Sequence, residues 1–163
     1  MGSGKTTISK VLDSMLPDYT FIDTDEEIIK HENLSVNEIF TQKGEEYFRK
    51  IESQILKNLL KGDNQIISTG GGIVISDENI SLLKKESIVF YLKANEDVLY
   101  DRVKNDTSRP LLKDGDLKSK IHLILSQREM QYNKAHYIIN VEDAAPQQIA
   151  DEIIRKSGIN ANA

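Results

Sequence analysis

The chain has 163 residues, a formal net charge of -5 at pH 7 and no cysteine. With 39% hydrophobic and 29% charged residues, it has the composition of one globular domain rather than of a disordered chain. The lack of cysteine excludes disulfides and thiolate metal sites, the acidic balance argues against a nucleic-acid partner, and no apolar run reaches the roughly 20 residues of a membrane helix. We therefore expect a soluble, cytoplasmic protein.

Short apolar runs alternate with amphipathic stretches of helical length, and this pattern predicts an α/β fold with a parallel sheet. The predicted strands are 19–22, 65–68, 87–92 and 137–141. The predicted helices are 5–15, 25–30, 36–43, 45–60, 77–84, 95–104, 117–133 and 146–156. Asn95 and Asp116 are predicted N-caps, and Pro146 suits the first turn of the last helix. The polar segment 105–116 is the long irregular stretch between helices, and we expect it to be a lid.

The first residues of the chain resemble half of a phosphate-binding loop. Residues 2–6 read GSGKT, the end of the pattern G-x-x-x-x-G-K-[ST], whose first glycine would fall before residue 1. In such a loop the backbone N–H groups surround a phosphate, Lys5 lies against the outer phosphates and the Thr6 hydroxyl faces Mg²⁺. The alternative is a flexible glycine-rich terminus. We favour the loop, because an amphipathic helix with Ile8 and Leu12 on one face begins where the loop should end.

A second polar stretch, FIDTDEE, follows the first predicted strand. Ligands of open α/β sheets bind beyond the carboxyl ends of the strands, where Asp23 and Asp25 would lie. One carboxylate could hold Mg²⁺ through water while the other accepts a hydrogen bond from a substrate hydroxyl. Alternatively, Asp23 or Thr24 only caps the next helix and the acidic residues favour its dipole. This motif alone leaves both readings open.

Three further segments, GEEYFRKIE, STGGG and SRPLL, follow GSGKT and DTD in a recognisable order. With these five motifs in register, nearly the whole chain resembles the shikimate kinase family of P-loop proteins. The resemblance implies a three-layer fold in which helices flank a central parallel sheet. It also implies a single kinase domain over residues 1–163, with an acceptor-binding segment at about 25–60 and the lid at about 105–116.

The same resemblance implies an ATP-dependent kinase that phosphorylates the 3-hydroxyl of shikimate with Mg²⁺, in the pathway to chorismate and the aromatic amino acids. We expect a monomer, because the family's members are usually small and self-contained. Matching positions imply a catalytic set of Lys5, Asp25 and Arg109, and Mg²⁺ contacts from Thr6 and Asp23. The implied ATP site consists of Gly2, Ser3, Gly4, Lys5, Thr6, Thr7, Arg102, Arg109 and Pro146. The implied shikimate site consists of Asp25, Arg49, Gly70, Gly71, Gly72 and Arg128.

Each of these side chains also has a simpler interpretation. Arg49, which in the site would be steadied by Glu52 from the same helix face, could instead be a solvated helix charge near Glu45, Glu46 and Lys50. The three glycines could form only a tight turn. Arg128 could pair with Glu129 or Glu152 on the surface.

The chain departs from the family pattern in two places. Residues 142–148 lack the arginine that some relatives carry beside the adenine. The strand that precedes the phosphate loop in relatives, the central one of a sheet ordered 2-3-1-4-5, would fall before residue 1. We therefore expect two pairs of strands flanking a gap, with poor stability and weak activity. The alternatives are a truncated, inactive binding module and another small-molecule kinase acting on gluconate or a nucleoside monophosphate.

Overall fold

The computed structural model describes residues 2–104 and 116–159. Its helices are α1 (Lys5–Met15), α2 (Thr24–Glu32), α3 (Val36–Leu59), α4 (Asp77–Glu86), α5 (Glu96–Val103), α6 (Leu117–Tyr132) and α7 (Pro146–Ser157). Its strands are β1 (Thr20–Asp23), β2 (Gln65–Ser68), β3 (Phe90–Lys93) and β4 (Tyr137–Asn140), and a 3₁₀ turn covers Ile73–Ile75. The predicted caps are confirmed, because the side chains of Asn95 and Asp116 cap α5 and α6, and Pro146 opens α7.

All strand pairing within the described residues is parallel, as the sequence predicts. β1 pairs with β2, placing Asp23 opposite Ser68, and β3 pairs with β4, placing Lys93 opposite Asn140. These are two separate two-stranded sheets. The expected pairs of strands are therefore present.

A cavity of about 530 Å³ separates the two sheets. Its walls are mostly apolar and include Ile66 and Ile67 of β2, Phe90 and Leu92 of β3, Ile8 and Leu12 of α1, and Leu16, which follows α1. Within the described part of the chain, β2 and β3 each have a hydrogen-bonded neighbour on one side only. The cavity is the gap that the sequence predicts between the strand pairs.

The described residues form three hydrophobic clusters around these sheets, the smallest of which is at Leu56, Ile73 and Leu83. The largest joins α1, β3, β4 and the helices α5 to α7, with Ile121, Ile139 and Val141 fully buried. A second cluster packs α2 against α3 through Ile28 and Ile39. This second unit stands beside β1 and carries the acceptor-binding segment inferred from the sequence.

The long helix α3 contains a break at the position where the sequence predicts a boundary between two helices. Gly44 has φ 83° and ψ 168°, a conformation in which a side chain would be strained. Helical structure resumes immediately and places Arg49 and Glu52 beside the glycines of the loop at residues 70–72, which follows β2. No helix in residues 2–104 or 116–159 is long and apolar enough to cross a membrane.

Candidate active site

The phosphate loop leads directly into α1. Gly4 is the N-cap of this helix with a left-handed φ of 85°, and Gly2 has φ 66°. A Cβ atom on Gly2 would lie 2.8 Å from Val103 Cγ1, so α5 packs against the loop at that glycine. Ser3 is buried, whereas Thr6 and Thr7 are exposed at the start of the helix. The positive end of the α1 dipole therefore lies at this loop, as the loop interpretation requires.

Arg102 connects the phosphate loop to the end of β4. Its guanidinium donates to the Gly2 carbonyl at 3.4 Å and to the Val141 carbonyl at 3.0 Å. Pro146, the other residue that the resemblance places near adenine, is exposed at the start of α7, five residues beyond Val141. The phosphate loop, Arg102 and the segment after β4 therefore lie together at the C-terminal end of β4.

The stretch after β1 brings a capping role and a polar cluster together. An Asp23 carboxylate oxygen accepts the Asp25 N–H at 2.9 Å and so caps α2, which confirms that Asp23 has a capping role. The fully buried Thr24 accepts a hydrogen bond at Oγ1 from the Gly70 N–H at 3.3 Å. Asp25, in the first turn of α2, lies beside Gly70, since a Cβ atom there would be 3.1 Å from Asp25 Oδ1.

The three glycines after β2 are surrounded by side chains from three different helices. A Cβ atom on Gly70 would also lie 3.2 Å from Glu52 Oε1, and one on Gly72 would lie 2.3 Å from Arg49 Nη1. Side chains at these positions would occupy the space of the site itself. The glycines therefore allow close approach, which a tight turn alone would not require.

Arg49 is held by two carboxylates on its own helix. It donates to Glu52 Oε2 at 2.8 Å and to Glu45 Oε1 at 3.0 Å and 3.2 Å. Its side chain is 19% exposed, so it is not the solvated charge considered from the sequence. Burial alone would lower the pKa of Arg49, but the carboxylates of Glu52 and Glu45 raise it overall. The guanidinium also lies 5.1 Å from the centre of the Phe48 ring, in cation–π range.

Glu52 is a buried carboxylate. Only 1% of the residue is exposed, and Oε1 has no hydrogen-bond partner among residues 2–104 and 116–159. Burial raises the pKa of Glu52, and the charge of Arg49 offsets only part of this effect. The charges of Asp25 and Arg128 also affect this pKa, in opposite directions, so the four groups form one electrostatic cluster.

Arg128 and Tyr132 on α6 contact the same glycine loop. Arg128 Nη1 donates to the Gly71 carbonyl at 3.4 Å, and Tyr132 Oη donates to the same oxygen at 2.6 Å. The surface pairs considered for Arg128 are taken by other residues, because Glu129 pairs with Lys93 and Glu152 with Lys156. Arg128 therefore faces the cluster of Asp25 and Glu52.

The gap between the two strand pairs borders both halves of the site, since its walls include Ser3, Lys5, Gly70, Gly71 and Tyr132. Most of the site residues that the resemblance implies thus lie either at the phosphate loop or around the glycines at residues 70–72. Arg109 lies outside the described residues. The sequence interpretation missed Thr24 and Tyr132 as contacts of the glycine loop. Tyr132 follows Arg128 by four residues, a spacing that puts both on one helix face.

The residues suggested for Mg²⁺ are compatible with the ion when phosphates and water supply its other ligands. No group of three His, Cys, Asp or Glu residues that could hold a metal occurs in the part of the chain that the structure describes. Mg²⁺ usually keeps several waters and takes one or two protein ligands beside substrate phosphates. The hydroxyl of Thr6 and the Asp23 carboxylate, which uses one oxygen as a cap, fit this limited donor set.

Comparisons with known proteins agree with this arrangement. A family model described as shikimate kinase matches residues 1–157. The shikimate kinase of Thermodesulfovibrio yellowstonii is 38% identical over 96% of this chain and 90% of its own length. The shikimate kinase of Caldicellulosiruptor bescii is 40% identical over 94% of this chain and 89% of its own length.

Solved structures give the same result. The shikimate kinase of Acinetobacter baumannii, determined in complex with shikimate, is 32% identical and superimposes with a TM-score of 0.90 over 96% of this chain and 87% of that one. The shikimate kinase of Bacteroides thetaiotaomicron is 29% identical and superimposes with a TM-score of 0.89 over 98% of this chain and 94% of that one. The chain has the P-loop kinase fold and belongs to the shikimate kinase family.

Proposed function

We propose that this protein transfers the γ-phosphoryl group of ATP to the 3-hydroxyl of shikimate, in the pathway to chorismate and the aromatic amino acids. The observation that carries the proposal is the cluster around residues 70–72. Two guanidinium groups, Arg49 and Arg128, and the carboxylate of Asp25 lie beside three adjacent glycines. This arrangement complements a small ring that bears one carboxylate and several hydroxyls.

The acceptor carboxylate would be bound by Arg49 and Arg128, because guanidinium groups pair with carboxylates in a planar, bidentate geometry. The backbone N–H groups of residues 70–72 would supply further donors. Asp25 would accept a hydrogen bond from a ring hydroxyl and orient or deprotonate the attacking one.

The phosphates of ATP would be bound by the loop at residues 2–7 and by Lys5. Arg102 and Pro146 would flank the adenine. Arg109, in the lid, would add a positive charge to the transferring group. Thr6 and Asp23 would hold Mg²⁺, which when bound neutralises charge on the β- and γ-phosphate oxygens.

A coupled assay that offers shikimate, gluconate and several nucleoside monophosphates tests the acceptor. We expect turnover with shikimate and ATP–Mg²⁺ and none with the others. Turnover with another acceptor but not with shikimate would reject the assignment, because loop and lid are shared among small kinases while the acceptor pocket is not.

We further propose that the protein acts as a cytoplasmic monomer, since its implied site residues all come from one chain. Sedimentation equilibrium tests the oligomeric state, and a mass of twice 18.5 kDa would contradict it.

A further inference from the structure

The carbonyl of Gly71 accepts hydrogen bonds from two side chains of α6. The bond from Tyr132 Oη is short at 2.6 Å, whereas that from Arg128 Nη1 is near the limit of hydrogen bonding at 3.4 Å. A carbonyl oxygen has two lone pairs and can accept both. Tyr132 is therefore the principal partner of this carbonyl, and Arg128 is bound to it by only one long hydrogen bond.

Tyr132 is itself held in place by packing. Its ring stacks on Tyr91 of β3 with 4.9 Å between ring centres and 20° between planes. Burial raises the pKa of Tyr132, and Arg128 opposes this only in part, so the hydroxyl stays protonated and donates at neutral pH. The side chain thus links β3 to the glycine loop after β2.

The position of the Gly71 carbonyl fixes the orientation of its peptide plane and influences the N–H groups beside it. The same carbonyl accepts a hydrogen bond from Arg128, and the Arg128 guanidinium also acts on the Tyr132 hydroxyl. If the Tyr132 hydroxyl were absent, Gly71 could rotate toward the guanidinium and compete with an acceptor carboxylate for its donors.

From this geometry we propose that Tyr132 is a positioning residue of the acceptor site. Its hydroxyl holds the Gly71 carbonyl, and it thereby sets the glycine backbone and leaves Arg128 oriented toward the acceptor carboxylate. The proposal rests on the proposed function, because it concerns binding of shikimate at that site.

Steady-state kinetics of Tyr132→Phe test the proposal, with Tyr137→Phe as the matched control. The Tyr137 ring stacks on Phe90, and its hydroxyl bonds to none of the residues the structure describes. For Tyr132→Phe we expect the KM for shikimate to rise about tenfold, which corresponds to about 1.4 kcal/mol, while kcat and the KM for ATP stay within twofold. The control should match the wild-type protein.

A double-mutant cycle that combines Tyr132→Phe with Arg128→Ala tests whether Tyr132 acts by positioning Gly71 or by a general effect on the rigidity of the site. If both side chains act through Gly71, the double variant should raise the KM for shikimate less than the product of the single effects. Multiplicative effects, an unchanged KM in Tyr132→Phe, or equal increases in the constants for both substrates would overturn the inference. A wild-type protein that turns over no shikimate would instead reject the proposed function, and this inference with it.

Discussion

Arg49 and Glu52 form a hydrogen-bonded ion pair of 2.8 Å on one face of α3, beside the glycines of the acceptor site. The carboxylate is buried and the guanidinium is partly exposed. The pair therefore holds the positive charge of Arg49 at a fixed position beside the site. Both residues can be tested by substitution.

Arg49→Ala should raise the KM for shikimate and leave the KM for ATP unchanged. The expected increase is roughly 10- to 150-fold, because a hydrogen bond to a charged group contributes about 1.5–3 kcal/mol. Lys50→Ala is the control, since Lys50 is the exposed neighbour on the same helix. Steady-state kinetics with each substrate varied in turn provide the measurement. A rise confined to the ATP constant would contradict the assignment.

Glu52→Gln should change how stability depends on pH. The pKa of Glu52 is raised in the folded protein, so below its ordinary value of 4.5 the residue is protonated in both states. As the pH rises from there through the folded-state pKa, the unfolded chain releases the proton more readily, and the wild-type protein loses stability relative to the glutamine variant. Thermal melts of both proteins between pH 4 and pH 7 measure the difference. If the melting temperature of the wild-type protein instead rises relative to that of the variant across this range, the predicted direction is wrong.

Lys5→Ala should suppress turnover while the fold stays intact. The lysine carries the charge that the loop would place against the outer phosphates, and it lies on the first turn of α1, where alanine is well tolerated. Lys10→Ala, at an exposed position of the same helix, is the matched control. Turnover is compared with the circular dichroism spectrum, and wild-type turnover in Lys5→Ala would refute the phosphate-loop assignment.

Gly72→Ala should impair acceptor binding through Arg49. The added methyl group would lie 2.3 Å from Arg49 Nη1, so the flexible guanidinium must move away from its present position. We expect a higher KM for shikimate with little change in melting temperature. Gly158→Ala is the opposite case, because no atom lies within 4 Å there but φ is +73°, so it should cost stability without affecting the KM.

The sequence predicts most of the fold because its signals are local. α1 has the predicted bounds, and Gly44 interrupts α3 at the predicted boundary. The strand predicted at 87–92 is observed at Phe90–Lys93, since Ser87 caps α4 and its hydroxyl bonds to the Leu83 carbonyl. Local signals of this kind specify where elements begin and end more reliably than which residues pair.

The acceptor site was less accessible to such reasoning. Arg49 and Arg128 were identified through the family resemblance, whereas Tyr132 was missed because its partner is a backbone carbonyl 61 residues away in the sequence. The hydrogen bond from the Gly70 N–H to Thr24 depends in the same way on a contact between the segments that follow β1 and β2. Contacts between residues so far apart in the sequence depend on the topology of the fold, which local spacing does not predict.

The cavity between β2 and β3 leads to the last prediction, that an apolar strand placed in it would stabilise the protein. The two strand edges lie on either side of mostly apolar walls, so an added strand could bond to both and bury its side chains. Four buried side chains at about 2 kcal/mol each, less about 1.5 kcal/mol per ordered residue, leave a net gain of about 2 kcal/mol. For a domain of this size that gain should raise Tm by roughly 4–8 °C.

The experiment compares two proteins extended before residue 1 by segments of equal length. One segment is a run of valine and isoleucine that ends in glycine, to meet the phosphate loop at Gly2; the other replaces the apolar residues with serine and lysine. We expect the apolar extension to raise both Tm and turnover above those of the original chain, because the loop would then be anchored in the sheet. Equal melting temperatures and equal turnover for the two extended proteins would show that the cavity does not accept a strand.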